Sequence, residues 1–175
     1  MLWVTRQHVH VDRVACPWLI KRFVDKEAQF IFLPREQITE FVNKTGAIPF
    51  DTGTGVKLDH LEKERERWCT FDAIIEKYAL INDRALNKLR SIVRWADTDN
   101  MEKHSLTWAL EAIASGAPLL CDSDHDALEL EFPFYDSLYA YFKREIILTE
   151  FKPELEALQT RGEKRFFIRK MLDKV

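Results

Sequence analysis

The sequence contains no CxxC pair, no long apolar run and no large excess of either charge, and each absence removes a class of function. The three cysteines of this 175-residue chain, Cys16, Cys69 and Cys121, stand 53 and 52 residues apart. An odd number at such spacing fits neither a disulfide framework nor a closed zinc ribbon, so reduced thiols in a cytoplasm are expected. Apolar runs stop at four or five residues, and the N-terminus MLWVTRQHVHVDR lacks the apolar stretch and small-residue cleavage site of a signal peptide. Neither a membrane span nor an export signal is expected. Lys and Arg number 26 against 29 Asp and Glu, a formal net charge of −3. Direct nucleic-acid binding driven by a polybasic field is therefore not expected. Internal repeats and low-complexity segments are also missing.

What is present is enough apolar surface for a core: 46% of residues are hydrophobic and 12% aromatic. The first third alternates short β-rich runs with turn signals, at 2–5, 8–11, 29–33, 47–50 and 56–58, the last two bracketing the turn Asp51-Thr52-Gly53-Thr54-Gly55. Beyond residue 70 the pattern is helical, with helices expected over 71–80, 84–95, 103–115, 124–131, 134–148 and 153–173, and breaks at Gly116-Ala117-Pro118 and Phe132-Pro133. An earlier helix is expected to begin between Val14 and Pro17, because proline fits the first helical turn. The fold class is α/β: a small N-terminal sheet of short strands with helices, followed by a mostly helical C-terminal half. Residues 1–150 form the α/β domain. Residues 151–175 form a helical extension whose apolar side chains fit either the core or a second copy in a homo-oligomer. The mixed-sign run 62–67 reads as a solvated loop or helix edge. Trp18, Trp68, Trp95 and Trp108 are expected in the core, with Trp68 or Trp95 as a candidate pocket wall.

Acids and imidazoles recur where strands and helices should begin or end. Each alone reads as a turn or cap residue. Together they suggest a site, because hard or borderline divalent ions such as Mn²⁺, Mg²⁺ or Zn²⁺ take carboxylate and imidazole ligands. The candidate metal ligands are Asp12, Asp51, His60, Asp97 and Asp99, with His10, Asp59, Asp124 and His125 behind them. Ser123 or Asp124 also fits a helix cap, and Asp72 reads as a helix-start acid with Thr70 as a candidate N-cap. Arg13, just before a helix start, suits a tetrahedral oxyanion, with Arg22 as a second fork. The alternatives are that Arg13 pairs with Asp97 or Asp99 and that Arg22 is an ion-paired surface residue. Cys16 is either a helix-start thiol of lowered pKa or a buried one.

The order of these motifs, H-x-D at His10 and Asp12, a lone Asp51, Asp59-His60, then Asp97, resembles the DHH phosphoesterases in spacing, with Leu61 where that superfamily has its second histidine. A closer resemblance covers roughly residues 3–143. Val11-Asp12-Arg13-Val14-Ala15-Cys16-Pro17-Trp18-Leu19-Ile20-Lys21-Arg22-Phe23, Ile48-Pro49-Phe50-Asp51, Cys69-Thr70-Phe71-Asp72-Ala73, Ile92-Val93-Arg94-Trp95-Ala96-Asp97-Thr98 and Tyr135-Asp136-Ser137-Leu138-Tyr139 resemble the C-terminal domain of the chromate-resistance protein ChrB. That resemblance implies a sensor or accessory role in chromate resistance, with a metal ion or oxyanion as ligand. The other reading is a Mn²⁺-dependent hydrolase in which the same residues hold metal and Arg13 clamps a phosphate.

Overall fold

The computed structural model describes residues 1–53, 56–63, 66–98 and 100–175. β1 (Leu2–Arg6) is the central strand, pairing in parallel with β2 (Gln29–Leu33) on one side and β3 (Ile48–Pro49) on the other. Its Trp3, Val4 and Thr5 are fully buried. α1 (Val11–Leu19), which continues as a π-helical turn over Ile20–Val24, connects β1 to β2. α2 (Arg35–Thr45) connects β2 to β3 and packs on the opposite face, where Ile38 meets Val4 and Ala47. The strand order β2-β1-β3 thus places a topological switch between β1 and β3, and open α/β sheets bind ligands beyond the carboxyl ends of strands at such a point.

A hairpin of β4 (Leu61–Lys63) and β5 (Glu66–Trp68) precedes α3 (Thr70–Lys77), α4 (Arg84–Asp97) and α5 (Ser105–Gly116). α6 (Asp124–Glu150) crosses α1 and α4, sending Ala127, Leu128, Tyr135, Phe142 and Ile146 into the main core. α7 (Lys152–Ala157) and α8 (Arg161–Met171) fold back on the end of α6, where Leu155 and Met171 bury Ile147. No helix among the described residues is long and apolar enough to cross a membrane.

Several local expectations give way to tertiary contacts. Residues 8–11 are not a strand: His8 takes a left-handed φ of 63°, and Asp124 accepts the amides of both His8 and Val9, turning the chain into α1. α1 therefore begins at Val11 and carries Pro17 in its second turn. Residues 56–58 form no strand; the Leu58 carbonyl instead accepts the Asp51 amide. The charge run at 62–67 contributes to a hairpin, although residues 64 and 65 lie outside the described residues. α2 arises in a stretch where the sequence patterning predicts no helix; Pro34 takes the N-cap position, and Gly46, at φ 70°, ends the helix. Pro133 does not divide α6, because core packing on both sides of it holds one helix together. Trp108 is 56% exposed rather than core.

Candidate metal centre

The β1 and β3 ends bring distant residues together. Arg6 closes β1, Asp12 and Arg13 occupy the first turn of α1, Asp51 follows β3, His60 ends the next loop, and Asp97 is the last residue of α4. Asp51 adopts φ 45°, a left-handed conformation that aspartate tolerates better than most side chains.

His60 is the hub. Its Nε2 lies 3.1 Å from Asp97 Oδ2, 3.7 Å from Asp12 Oδ2 and 3.8 Å from Asp51 Oδ1. One ligand atom each from Asp12, His60 and Asp97 falls within 4.8 Å of the others. Asp51 is engaged differently. It accepts Arg13 Nη1 at 2.9 Å and Arg6 Nη2 at 3.0 Å, while its carbonyl accepts Arg6 Nε at 2.8 Å. Arg13 also donates to the His8 carbonyl.

Asp12 has a second attachment. Its carboxylate accepts the Thr70 amide at 2.6 Å and the Phe71 amide at 3.1 Å, so an acid from α1 sits on the N-terminus of α3. Cys16 Sγ donates to it as well.

Crowding three carboxylates around one imidazole perturbs their protonation. Burial, then the charges of Asp97 and Asp51, pushes Asp12 up to about 8. The Asp97 carboxylate, followed by the charges of Asp12 and Asp51 against the opposing effect of burial, pushes His60 up to about 9. Burial raises Asp51 despite Arg13 and Arg6. Cys16 and Cys69 are buried beside Asp12, and burial raises both thiols; Cys16 is thus the buried thiol rather than the activated one. Arg13 Nε, His60 Nδ1, Thr70 Oγ1 and Asp97 Oδ2 are buried without a hydrogen-bond partner. They lie on four residues of one site, and Asp97 Oδ2 is at the same time the carboxylate oxygen 3.1 Å from the imidazole Nε2.

Of the candidates read from sequence, the fold assembles Asp12, Asp51, His60 and Asp97. Arg22 is elsewhere: it makes a two-pronged bond to Asp136 on α6 at 2.8 and 2.9 Å and does not fold over the site. Arg13 pairs with Asp51, not Asp97. Asp59 holds its own loop through the Gly53 and His60 amides. His10 turns to Ser115 and Glu111 on α5. Asp124 anchors the turn before α1, His125 lies against Phe32, and Ser123 caps α6. Asp99 lies outside the described residues. Asp72 is an N3 acid with Cys69, not Thr70, at the N-cap, and it also receives Arg90 and Arg94, which stack on Trp68.

Sequence reasoning passed over two participants. Arg6 carries no signal beyond being the last residue of a strand. Thr70 appears in the sequence as a cap candidate for its own helix, and its approach to Asp12 spans 58 residues.

Residues 3–142 match the family described as the ChrB C-terminal domain. Protein ChrB of Cupriavidus metallidurans (strain ATCC 43123 / DSM 2839 / NBRC 102507 / CH34) is 30% identical over 140 residues, covering 80% of this chain and 40% of the relative. This chain therefore spans less than half the length of that curated protein. No solved structure matches.

Proposed function

The chain belongs to the ChrB C-terminal domain family, and from that premise we propose that it serves chromate resistance by holding a divalent cation on Asp12, His60 and Asp97 in a sensor or accessory role. The observation that carries this reading is the approach of three ligand atoms from α1, a loop and α4 to within 4.8 Å of one another. Two carboxylates and an imidazole suit hard to borderline ions, Mn²⁺, Mg²⁺ or Zn²⁺. Asp97 Oδ2, buried and 3.1 Å from His60 Nε2, fits the same occupant. Asp51, fixed by two guanidinium groups, would stand beside the ion and contribute charge.

A free oxyanion is a poorer fit. It would meet the carboxylates of Asp12, Asp51 and Asp97, while the guanidinium groups of Arg6 and Arg13 already bind Asp51. The hydrolase reading asks Arg13 to clamp a phosphate, which the same pairing opposes. When bound, the cation would supply positive charge to Asp12 and Asp97 in place of a proton on His60, and the protein's part is to hold it in place.

The test is elemental analysis of the purified protein after incubation with Mn²⁺, Zn²⁺ or Mg²⁺ and removal of free metal. Near-stoichiometric retention that disappears in a folded Asp97→Ala variant is expected. No retained metal, or retention unchanged in that variant, overturns the reading.

A further inference from the structure

Thr70 is the first residue of α3 and is fully buried, yet its hydroxyl oxygen has no hydrogen-bond partner. Two other buried threonines spend theirs on the main chain: Thr5 Oγ1 donates to the Asp51 carbonyl, and Thr107 Oγ1 to the carbonyls of Met101 and His104. The place of Thr70 in the chain denies it both usual outlets. No helical turn precedes it to offer a carbonyl, and the N-cap is Cys69, whose amide Asp72 accepts. A buried hydroxyl without a partner is costly, and valine has nearly the same shape without that cost.

The hydroxyl stands at the metal centre. The Thr70 amide donates to Asp12 Oδ2 at 2.6 Å, and that same oxygen is the one 3.7 Å from His60 Nε2. Oγ1 shares the short covalent frame of one residue with this amide, so it is confined to the surroundings of Asp12 Oδ2. Three protein ligand atoms leave Mn²⁺, Mg²⁺ or Zn²⁺ at least one place for water. A water on a cation is polarised and donates hydrogen bonds. The guanidinium groups of Arg6 and Arg13 have no lone pair to accept one, whereas a hydroxyl oxygen does.

We infer that Thr70 is a positioning residue of this centre, its Oγ1 accepting a hydrogen bond from a water on the bound cation. The inference rests on the cation site proposed for Asp12, His60 and Asp97, and adds a fourth residue to it. Thr70 then serves the centre twice. Its amide fixes the Asp12 carboxylate, and its hydroxyl holds the water that the three ligands leave room for. Partners of this kind, one step removed from the ion, set its affinity although they do not touch it.

Equilibrium dialysis of the full chain against Mn²⁺ and, separately, Zn²⁺, together with urea unfolding in EDTA, tests it. Thr70→Val keeps the amide on Asp12 and removes only the hydroxyl. It should weaken binding about tenfold while its metal-free urea midpoint stays at or above that of the parent chain. Thr70→Ser keeps the hydroxyl and gives up a buried methyl, so it should bind as the parent does and unfold at lower urea. A threonine with a purely structural role would move binding and stability together. Binding undiminished in Thr70→Val overturns the inference and leaves the centre of Asp12, His60 and Asp97 standing. A lowered metal-free midpoint in Thr70→Val overturns it too, whatever the metal result, because the hydroxyl then has its partner in the protein itself. Failure of the parent chain to bind either ion removes the centre, and the inference with it.

Discussion

Asp12 of α1 accepts the amide of Thr70, the first residue of α3, at 2.6 Å, so one buried carboxylate both faces His60 and caps a neighbouring helix. Removing it costs structure as well as ligand. Asp12→Ala leaves the Thr70 and Phe71 amides buried without their acceptor, and at about 1–3 kcal/mol for each unsatisfied donor the loss should total about 2–6 kcal/mol in urea unfolding. Asp12→Asn, which keeps an acceptor oxygen, should lose less. Asp97→Ala, which removes the ion pair with His60 at 3.1 Å rather than the acceptor of two buried amides, should lose less than Asp12→Ala. Equal losses in Asp12→Ala and Asp97→Ala would contradict the capping role.

Glu131 gives the fold a pH dependence. It is fully buried, neither carboxylate oxygen has a hydrogen-bond partner, and burial pushes its pKa from 4.5 up to about 7. Below 4.5 the proton is on in both folded and unfolded states. Between there and about 7 the folded protein keeps a proton that the unfolded chain releases, so stability falls as pH rises through that window. The full loss should be about 3–4 kcal/mol, from ~1.4 kcal/mol per unit over the span from 4.5 to about 7. Glu131→Gln should be the more stable protein at pH above about 7 and should flatten this part of the stability profile, as read by denaturant midpoints across pH.

Arg22 should prove irrelevant to the ligand. It binds Asp136 at a half-exposed position on α6, where an ion pair contributes about 0–1 kcal/mol. Arg22→Ala should leave metal retention unchanged and shift the unfolding midpoint only slightly. A variant that folds but retains no metal would return Arg22 to the site.

Asp72 should be among the most sensitive positions in the chain. It is wholly buried and holds the guanidinium groups of both Arg90 and Arg94, which lie 4.7 and 4.3 Å from the Trp68 ring. Asp72→Asn keeps the shape but removes the charge from between two cations, and breaking a buried pair this way costs about 3–5 kcal/mol. Thermal unfolding with tryptophan fluorescence would report both the loss of stability and the altered surroundings of Trp68.

Much of the fold was legible because its signals are local. Leu2–Arg6 and Gln29–Leu33 are β-rich runs bounded by turn residues, and α4 shows its buried face in the spacing of Ala85, Leu86, Leu89, Ile92 and Val93. The misread elements are those decided by partners far along the chain. Residues 8–11 have strand-forming composition, yet Asp124 draws their amides into a turn. Pro133 disfavours a helix, yet core contacts along α6 outweigh it.

The candidate site divides along the same line. Asp12, Asp51, His60 and Asp97 could be named from residue type and from their places at the ends of elements, and the motifs around them led to the ChrB family. Which of these groups meet, and which are taken by other partners, depended on the folded chain. Arg13 and Arg22 both read as candidates for an anion in the sequence, but one is bound to Asp51 and the other to Asp136, 114 residues away. Composition and spacing express the short-range preferences of a chain, whereas which charge meets which partner depends on the hydrophobic core that holds α1, α4 and α6 against one another.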